Sequence, residues 1–476
     1  ATLPRLRSRV RTSFPAPILL TLTRKNFIFN INNMYKTFFY FLFFISHFSY
    51  ASEDPFNAFI SINNSKNASG INIGIKDNID VKSMATTAGS LALAELYPSE
   101  DAFIITKLKE ANYSIYGKTN LSEWANFRSF NSVSGWSSVG GQTINPYGIN
   151  RNPCGSSSGS AVAVASGMID IAIGTETNGS ISCPASVNGI VGMKPTVGLV
   201  SRNGIVPISA SQDTAGPMGN SVAIVAKTLE VIAGKDPEDE ATYNIPNNFK
   251  LTPDLDKNSL KGKRFGLLNS GMEDEEGKKL LDKAINIIQS AGGEVVIIKD
   301  ERVYPGEEEF FLLLYEFKRD LEKYLKGADT PYKSLQSLID FNNANKDRVM
   351  PHFNQEIFEA SLEASSKHNE YKVSLKMIKT VRYEFDQLLN QYNLNAFIGL
   401  TRNPAWKIEY EGGDSVAMDK QRSWGNGGFA AIAGYPHITL PLDKVEGLPV
   451  GISFIGSKWT DGSLLEYAAT FEKLNQ

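Results

Sequence analysis

Arg264-Phe-Gly-Leu-Leu268, Lys278-Lys-Leu-Leu-Asp-Lys-Ala-Ile-Asn-Ile-Ile-Gln-Ser-Ala-Gly292 and Glu294-Val-Val-Ile-Ile298 follow one another in close succession. The outer two are short apolar runs of strand type. The middle one carries apolar residues at helical spacing and stops at Gly292, so the three predict a βαβ unit. Upstream, Ile71-Asn-Ile-Gly-Ile75 and Ile169-Asp-Ile-Ala-Ile173 have the same strand character. Downstream, Phe397-Ile-Gly-Leu400, Ile438-Thr-Leu-Pro-Leu442 and Val450-Gly-Ile-Ser-Phe454 return to it, whereas residues from about 305 to 395 are charged and helical in pattern. Strands at both ends with helices between predict one α/β domain whose middle helices cover the sheet. Residues from about 70 to 235 are rich in Gly, Ser, Ala, Thr and Asn, a loop-dense zone of the kind that carries chemistry.

The chain has 476 residues, 42% hydrophobic and 21% charged, enough to bury a substantial core and incompatible with disorder as the main state. Lys and Arg total 48 against 51 Asp and Glu, a net charge of -3. No global field attracts a polyanion, and nucleic acid is not an expected partner. Two cysteines exclude a disulfide framework and a four-thiolate zinc site; neither metal nor cofactor is expected.

Residues 1–33 are basic, with Arg5, Arg7, Arg9, Arg11, Arg24 and Lys25, and contain no acid. They are expected to be a leader lying upstream of a start at Met34, with an Arg-rich transit peptide as the alternative. Residues 34–51 have the plan of a secretory signal peptide: Lys36, an apolar run from Phe38 to Phe48, and the small-x-small site Ser49-Tyr50-Ala51. That run is shorter than the roughly 20 residues of a transmembrane helix, so no stable membrane anchor is expected. The mature chain, 52–476, is expected to be exported to a periplasm or the outside.

Two serine-rich loops bracket one helix and one strand: Asn152-Pro-Cys-Gly-Ser-Ser-Ser-Gly-Ser160 and Gly174-Thr-Glu-Thr-Asn-Gly-Ser-Ile-Ser-Cys-Pro184. A Gly/Ser loop that opens a helix presents free N–H groups to an anion or a developing oxyanion. No Gly-Lys-Ser/Thr follows the glycines, which argues against a phosphate loop. Gly155-Ser-Ser-Ser-Gly159 matches G-x-S-x-G around Ser157, but the nucleophile elbow needs a strand directly before it, and Asn145 to Pro153 are turn formers. His352 and His368 stand in charged helical sequence and His437 in a short turn after Pro436, so a serine nucleophile here needs another base. A lysine whose pKa burial lowers from about 10.4 toward neutrality can serve. Lys76, at the end of the run Ile71 to Ile75, is the candidate. Asp77 points to the opposite side of that strand and need not hold the lysine charged.

Taken together, Gly74-Ile-Lys-Asp-Asn78, Thr86-Thr-Ala-Gly-Ser90, Gly117-Lys-Thr-Asn120, the two serine loops, Gly189-Ile-Val-Gly-Met-Lys-Pro-Thr196, Ala430-Ala-Ile-Ala-Gly-Tyr-Pro436 and Gly447-Leu-Pro-Val-Gly451 resemble the amidase signature family from about residue 70 onward. The resemblance implies a single domain with a central twisted mixed β-sheet covered by helices on both faces. It also implies a Ser-cisSer-Lys triad: Ser180 as nucleophile, Ser156 as the serine in a cis peptide, Lys76 as base. The N–H groups of Thr177, Asn178, Gly179 and Ser180 are the implied oxyanion hole, with Ser157, Thr175 and Ser182 as substrate-binding or supporting residues, and no metal or cofactor.

Within the family, the second serine loop, Gly198-Leu-Val-Ser-Arg202 and Pro207-Ile-Ser-Ala-Ser-Gln-Asp-Thr-Ala-Gly-Pro217 are most similar to the peptide amidase branch. That implies a small-molecule or peptide amide as substrate and release of ammonia from a C-terminal or other primary carboxamide. Asn178 stands where the branch usually has Asp. Ser182 and Cys183 stand where relatives that take a carboxylate or a fatty acyl amide often carry Arg, so a negatively charged substrate is not expected. Cys154 and Cys183 flank the two loops; an exported protein could bridge them, whereas the resemblance points to unpaired thiols. The oligomeric state is left open. Two rivals remain: the A subunit of a tRNA-dependent amidotransferase, which the signal-like segment speaks against, and an inactive amidase-like scaffold, which intact Lys76, Ser156 and Ser180 speak against.

Overall fold

Along Ile171–Glu176 the side chains alternate, Ile171 and Ile173 joining one apolar core and Ala172 another, as the period of two in a strand requires. The computed structural model describes residues 54–63, 70–268, 270–419, 422 and 424–476; the leader and the signal-like segment, 1–51, lie outside them. Residues 54–476 pack as one unit. The strands are β1 (Phe59–Ile62), β2 (Ile71–Lys76), β3 (Tyr113–Thr119), β4 (Trp136–Ser137), β5 (Gly141–Gln142), β6 (Ile171–Glu176), β7 (Val191–Lys194), β8 (Thr214–Gly219), β9 (Arg264–Leu268), β10 (Glu294–Ile298), β11 (Ala396–Leu400), β12 (His437–Val445) and β13 (Leu448–Ile455). β4 and β5 form a separate ribbon, and the others form one sheet in the order β1-β3-β2-β6-β8-β7-β12-β13-β11-β9-β10. Pairing is parallel at β3/β2, β2/β6, β11/β9 and β9/β10, and antiparallel elsewhere in the sheet. The mixed sheet anticipated from the resemblance is present.

The βαβ unit is where the periodicity puts it. β9 and β10 run parallel with Arg264 opposite Glu294, joined by the helix Glu275–Ser290. Asp274 caps that helix by accepting from the amides of Glu276 and Gly277, and Gly292, at φ +85°, ends it in the left-handed region.

Helices cover both faces. On one, Ile104, Leu229, Leu281 and Phe471, from four different helices, pack with Ile73, Ile75, Phe265 and Phe454 of the sheet. On the other, the long helices Gly306–Gly327 and His368–Gln391 bring Phe317 and Phe385 against Phe397 and Ile455. No helix among the described residues is long and apolar enough to cross a membrane.

Two histidines differ from expectation. His437 is not in a turn but opens β12, buried, with Nε2 2.7 Å from Ser453 Oγ; burial pushes it down to about 4, leaving it neutral. Pro436 ends the turn one residue earlier than its composition suggests. His352 lies outside any helix, packed between Trp136 and Tyr410.

The sheet order has one decisive effect on the site. β2 and β6 are parallel neighbours, with Ile73 opposite Ile171 and Ile75 opposite Ile173. Their C-terminal ends therefore open at the same edge, Lys76 on one and Thr175 and Glu176 on the other, where open α/β sheets place their ligands.

Candidate active site

Lys76 is the last residue of β2, wholly buried. Its Nζ reaches Ser156 Oγ at 2.7 Å, Thr175 Oγ1 at 2.8 Å and the Thr175 carbonyl at 3.2 Å. Desolvation pushes the amine down to about 7, against the upward pull of the Asp213 and Glu176 carboxylates. Asp77, as the strand geometry predicts, turns away from it, to Thr87 and Lys118. A neutral amine keeps two N–H donors and one lone pair, so with three oxygens around it the Ser156 hydroxyl can donate to the lone pair while Nζ donates to Thr175.

Ser156 sits in the turn before the helix Ser158–Ala165, and the Gly155–Ser156 peptide bond is cis. The adjacent hydroxyl, Ser157 Oγ, donates to the Thr175 carbonyl at 3.0 Å and accepts from the Thr175 amide at 3.2 Å, pinning the first serine loop to β6. Residue 174 beside it is glycine: a Cβ there would lie 2.7 Å from Met218 Sδ and 2.8 Å from Ser157 Oγ. Ser157 and Thr175 are thus supports, and Thr175 also lines the cavity.

Ser180 stands in the turn after β6 and opens on the same cavity as Ser156, about 550 Å³ in volume. Among the described residues its hydroxyl has no hydrogen-bond partner. The amides of Asn178, Gly179 and Ser180 likewise donate to no protein acceptor among the described residues, and Gly179 turns the loop at φ +87°. They are therefore open to a ligand oxygen.

The loop is braced at three points that the motifs did not reveal. Glu176 Oε2 accepts from the amides of Ile181 and Ser182 and from Ser182 Oγ at 2.8, 2.9 and 3.2 Å, which makes Ser182 a support. Thr177 Oγ1 donates to Asp213 Oδ1 at 2.6 Å; burial pushes Asp213 up to about 6 despite that bond and the amides of Ser209 and Ile208. Asn178 Nδ2 donates to Tyr304 Oη and to Glu309 Oε1, both at 2.8 Å, and Gln212 Nε2 donates to the same Glu309 oxygen at 2.8 Å. Glu176 and Asp213 lay inside quoted motifs and could have been flagged as acids beside a strand end. Tyr304 and Glu309 come from the helical middle, where no local pattern marks them.

Cys154 and Cys183 form a disulfide, their Cα atoms 6.0 Å apart. This corrects the expectation of unpaired thiols: the helix Ser158–Ala165 leads away from the first loop and β6 leads back to the second, and the Ser157 amide donates to the Ser180 carbonyl at 3.2 Å, so the two serine loops lie side by side, within the span a disulfide bridges. Among the described residues no cluster of His, Cys, Asp and Glu could hold a metal ion.

A family model described as Amidase matches residues 58–465. A probable amidase of Arabidopsis thaliana is 37% identical over 421 residues, covering 85% of this chain and 76% of the relative. The glutamyl-tRNA(Gln) amidotransferase A subunit of Prochlorococcus marinus is 33% identical over 425 residues, covering 85% and 83%. Among solved structures, native peptide amidase from Stenotrophomonas maltophilia superposes with a TM-score of 0.82 at 40% identity, over 90% of this chain and 91% of that one.

Proposed function

This chain belongs to the amidase signature family and is an amidohydrolase, and on that premise we propose that it is a serine amidase that hydrolyses primary carboxamides, peptide C-terminal amides foremost, through an acyl-enzyme. The observation that carries this is the buried Lys76 amine, pushed down to about 7 and 2.7 Å from Ser156 Oγ, beside a cavity into which Ser180 opens.

Neutral Lys76 takes the Ser156 proton, and Ser156 takes that of Ser180 as Ser180 Oγ attacks the carboxamide carbon. The amides of residues 177 to 180 hold the tetrahedral oxyanion. The proton returns to the leaving nitrogen, the C–N bond breaks and ammonia departs. Water, deprotonated by the same relay, then attacks the Ser180 ester, releasing the carboxylate and restoring the serine.

The likeness to a peptide amidase at 40% identity supports peptide-type amides as substrates. At 33% identity, the likeness to an amidotransferase A subunit keeps a second reading in view, in which the ammonia is passed on rather than released. Export is part of the first reading. The signal-like segment 34–51 supports it, as does the Cys154–Cys183 bridge, a bond typical of oxidising compartments.

The test is ammonia release by the isolated protein from peptide C-terminal amides, fatty acyl amides and aryl amides, beside Ser180→Ala. Turnover without tRNA or a partner, lost in Ser180→Ala, is expected. No turnover on any of them, and no fluorophosphonate label on Ser180, would leave a scaffold instead.

A further inference from the structure

The cavity that holds Ser156 and Ser180 is lined by eight carboxylates and two cationic side chains, Arg202 and Lys323, in a chain whose net charge is only -3. Arg202 is already bound to Asp239 at 2.6 Å. Asp101 is paired with Lys109 at 2.6 Å and Asp320 with Arg319 at 2.7 Å, both partners standing outside the lining. Three carboxylates on the exposed rim, Glu100, Glu238 and Asp329, make no ion pair among the described residues. Further in stand Asp80, which accepts from Tyr324 Oη at 2.8 Å, and Asp213.

A second observation, independent of the charges, also points to a ligand that donates a hydrogen bond. Asn78 lines the same cavity, is 4% exposed and donates through Nδ2 to Thr175 Oγ1 at 3.1 Å. Its Oδ1 is buried with no donor to accept from. A buried acceptor left in that state is costly, and an N–H from a bound substrate would satisfy it.

We propose that this cavity selects amides that carry a positive charge away from the scissile carboxamide. For a peptide amide that charge is a lysine or arginine side chain or a free amino terminus. This rests on the amidase reading and narrows it to a substrate class. Carboxylates on the walls of a cleft focus their field into it, concentrating cations and repelling anions. The volume, about 550 Å³, suits a ligand of small-molecule size, a peptide amide of a few residues. The rim carboxylates act on the distal charge and take no part in the proton relay.

The experiment uses the whole protein and two N-acetylated dipeptide amides that differ only in carrying lysine or its uncharged analogue norleucine beside the amidated residue. The lysine substrate is expected to have roughly tenfold higher kcat/KM at low ionic strength, a gap that closes in about 0.5 M salt. The triple variant Glu100→Gln, Glu238→Gln, Asp329→Asn should abolish the gap while turning over the norleucine substrate as the parent does. Equal rates on the two substrates, or a preference that survives the triple variant, would overturn the proposal and leave the amidase intact. Failure to hydrolyse either substrate or any other amide would overturn the amidase reading itself.

Discussion

Lys118 Nζ lies 3.1 Å from Asp77 Oδ1, with both side chains fully buried. Lys118 also donates to the Ala85 carbonyl at 2.8 Å, and the Thr87 amide and hydroxyl donate to Asp77 Oδ2. The acid next to Lys76 in sequence is therefore neutralised by a different lysine, and this leaves Lys76 free to lose its proton.

Replacing Lys118 by Met should leave Asp77 as a buried, uncompensated carboxylate and lower the unfolding free energy by about 3–5 kcal/mol. The freed charge, one residue from Lys76, should also move the midpoint of the pH–rate profile above 7. Adding Asp77→Asn should restore that midpoint. Urea unfolding and the pH dependence of kcat/KM read the two effects separately.

On the proposed mechanism the Lys76 amine, at about 7, should set the acid limb of activity. A base works only when neutral, so kcat/KM should fall about tenfold per pH unit below 7 and level off above it. Folding follows the same group: from about pH 7 to 10 the unfolded chain holds a proton that the folded chain lacks, so this site's contribution to stability rises with pH in that window. Lys76→Met should lower turnover by about a thousandfold or more while raising the melting temperature at pH 7, because the desolvation cost disappears. A variant that loses activity and melts lower would contradict this account of the burial.

The disulfide Cys154–Cys183 closes a loop with a sequence separation of 29. Removing it in Cys154→Ala, Cys183→Ala should lower the unfolding free energy by about 3–4 kcal/mol. Alkylation of the protein denatured without reductant should leave both sulfurs unmodified, as mass spectrometry would record.

Asn178 meets Glu309 at 2.8 Å as a donor, which an aspartate could not do. Asn178→Asp should set two carboxylates against each other and lower kcat/KM by about 10- to 100-fold. Glu309→Gln in the same chain should recover most of that loss, whereas alone it should have a small effect. A double-mutant cycle on kcat and KM checks the coupling, and additive losses would show that the contact does not position the loop.

The catalytic candidates were legible because they crowd into short motifs whose spacing one helix and one strand maintain: Ser156 before Ser158–Ala165, Ser180 after Ile171–Glu176. Strand β8 was not. Thr214-Ala-Gly-Pro-Met-Gly219 has the composition of a turn, yet it lies in the middle of the sheet between β6 and β7. Gly216 belongs there because a Cβ would stand 2.0 Å from the Met193 carbonyl; close approach of neighbouring backbone overrides propensity. The cysteine bridge and the Glu309 brace escaped for a related reason. The bridge depends on how the helix Ser158–Ala165 folds back along β6, and the brace on a helix distant in sequence; neither distance can be read from composition or spacing.

The helix Gly306–Gly327 offers Glu309 to the loop of Asn178 and Ser180 near one end and Asp320, Lys323 and Tyr324 to the cavity wall further along. One rod thus carries both a brace for that loop and a face of the cavity, some 20 Å apart at 1.5 Å per residue. Chimeras with relatives are constrained accordingly. A crossover that imports the whole helix transplants selectivity and loop geometry as a single cassette, while a crossover inside it separates the two and lets the pocket be diversified against a constant catalytic end.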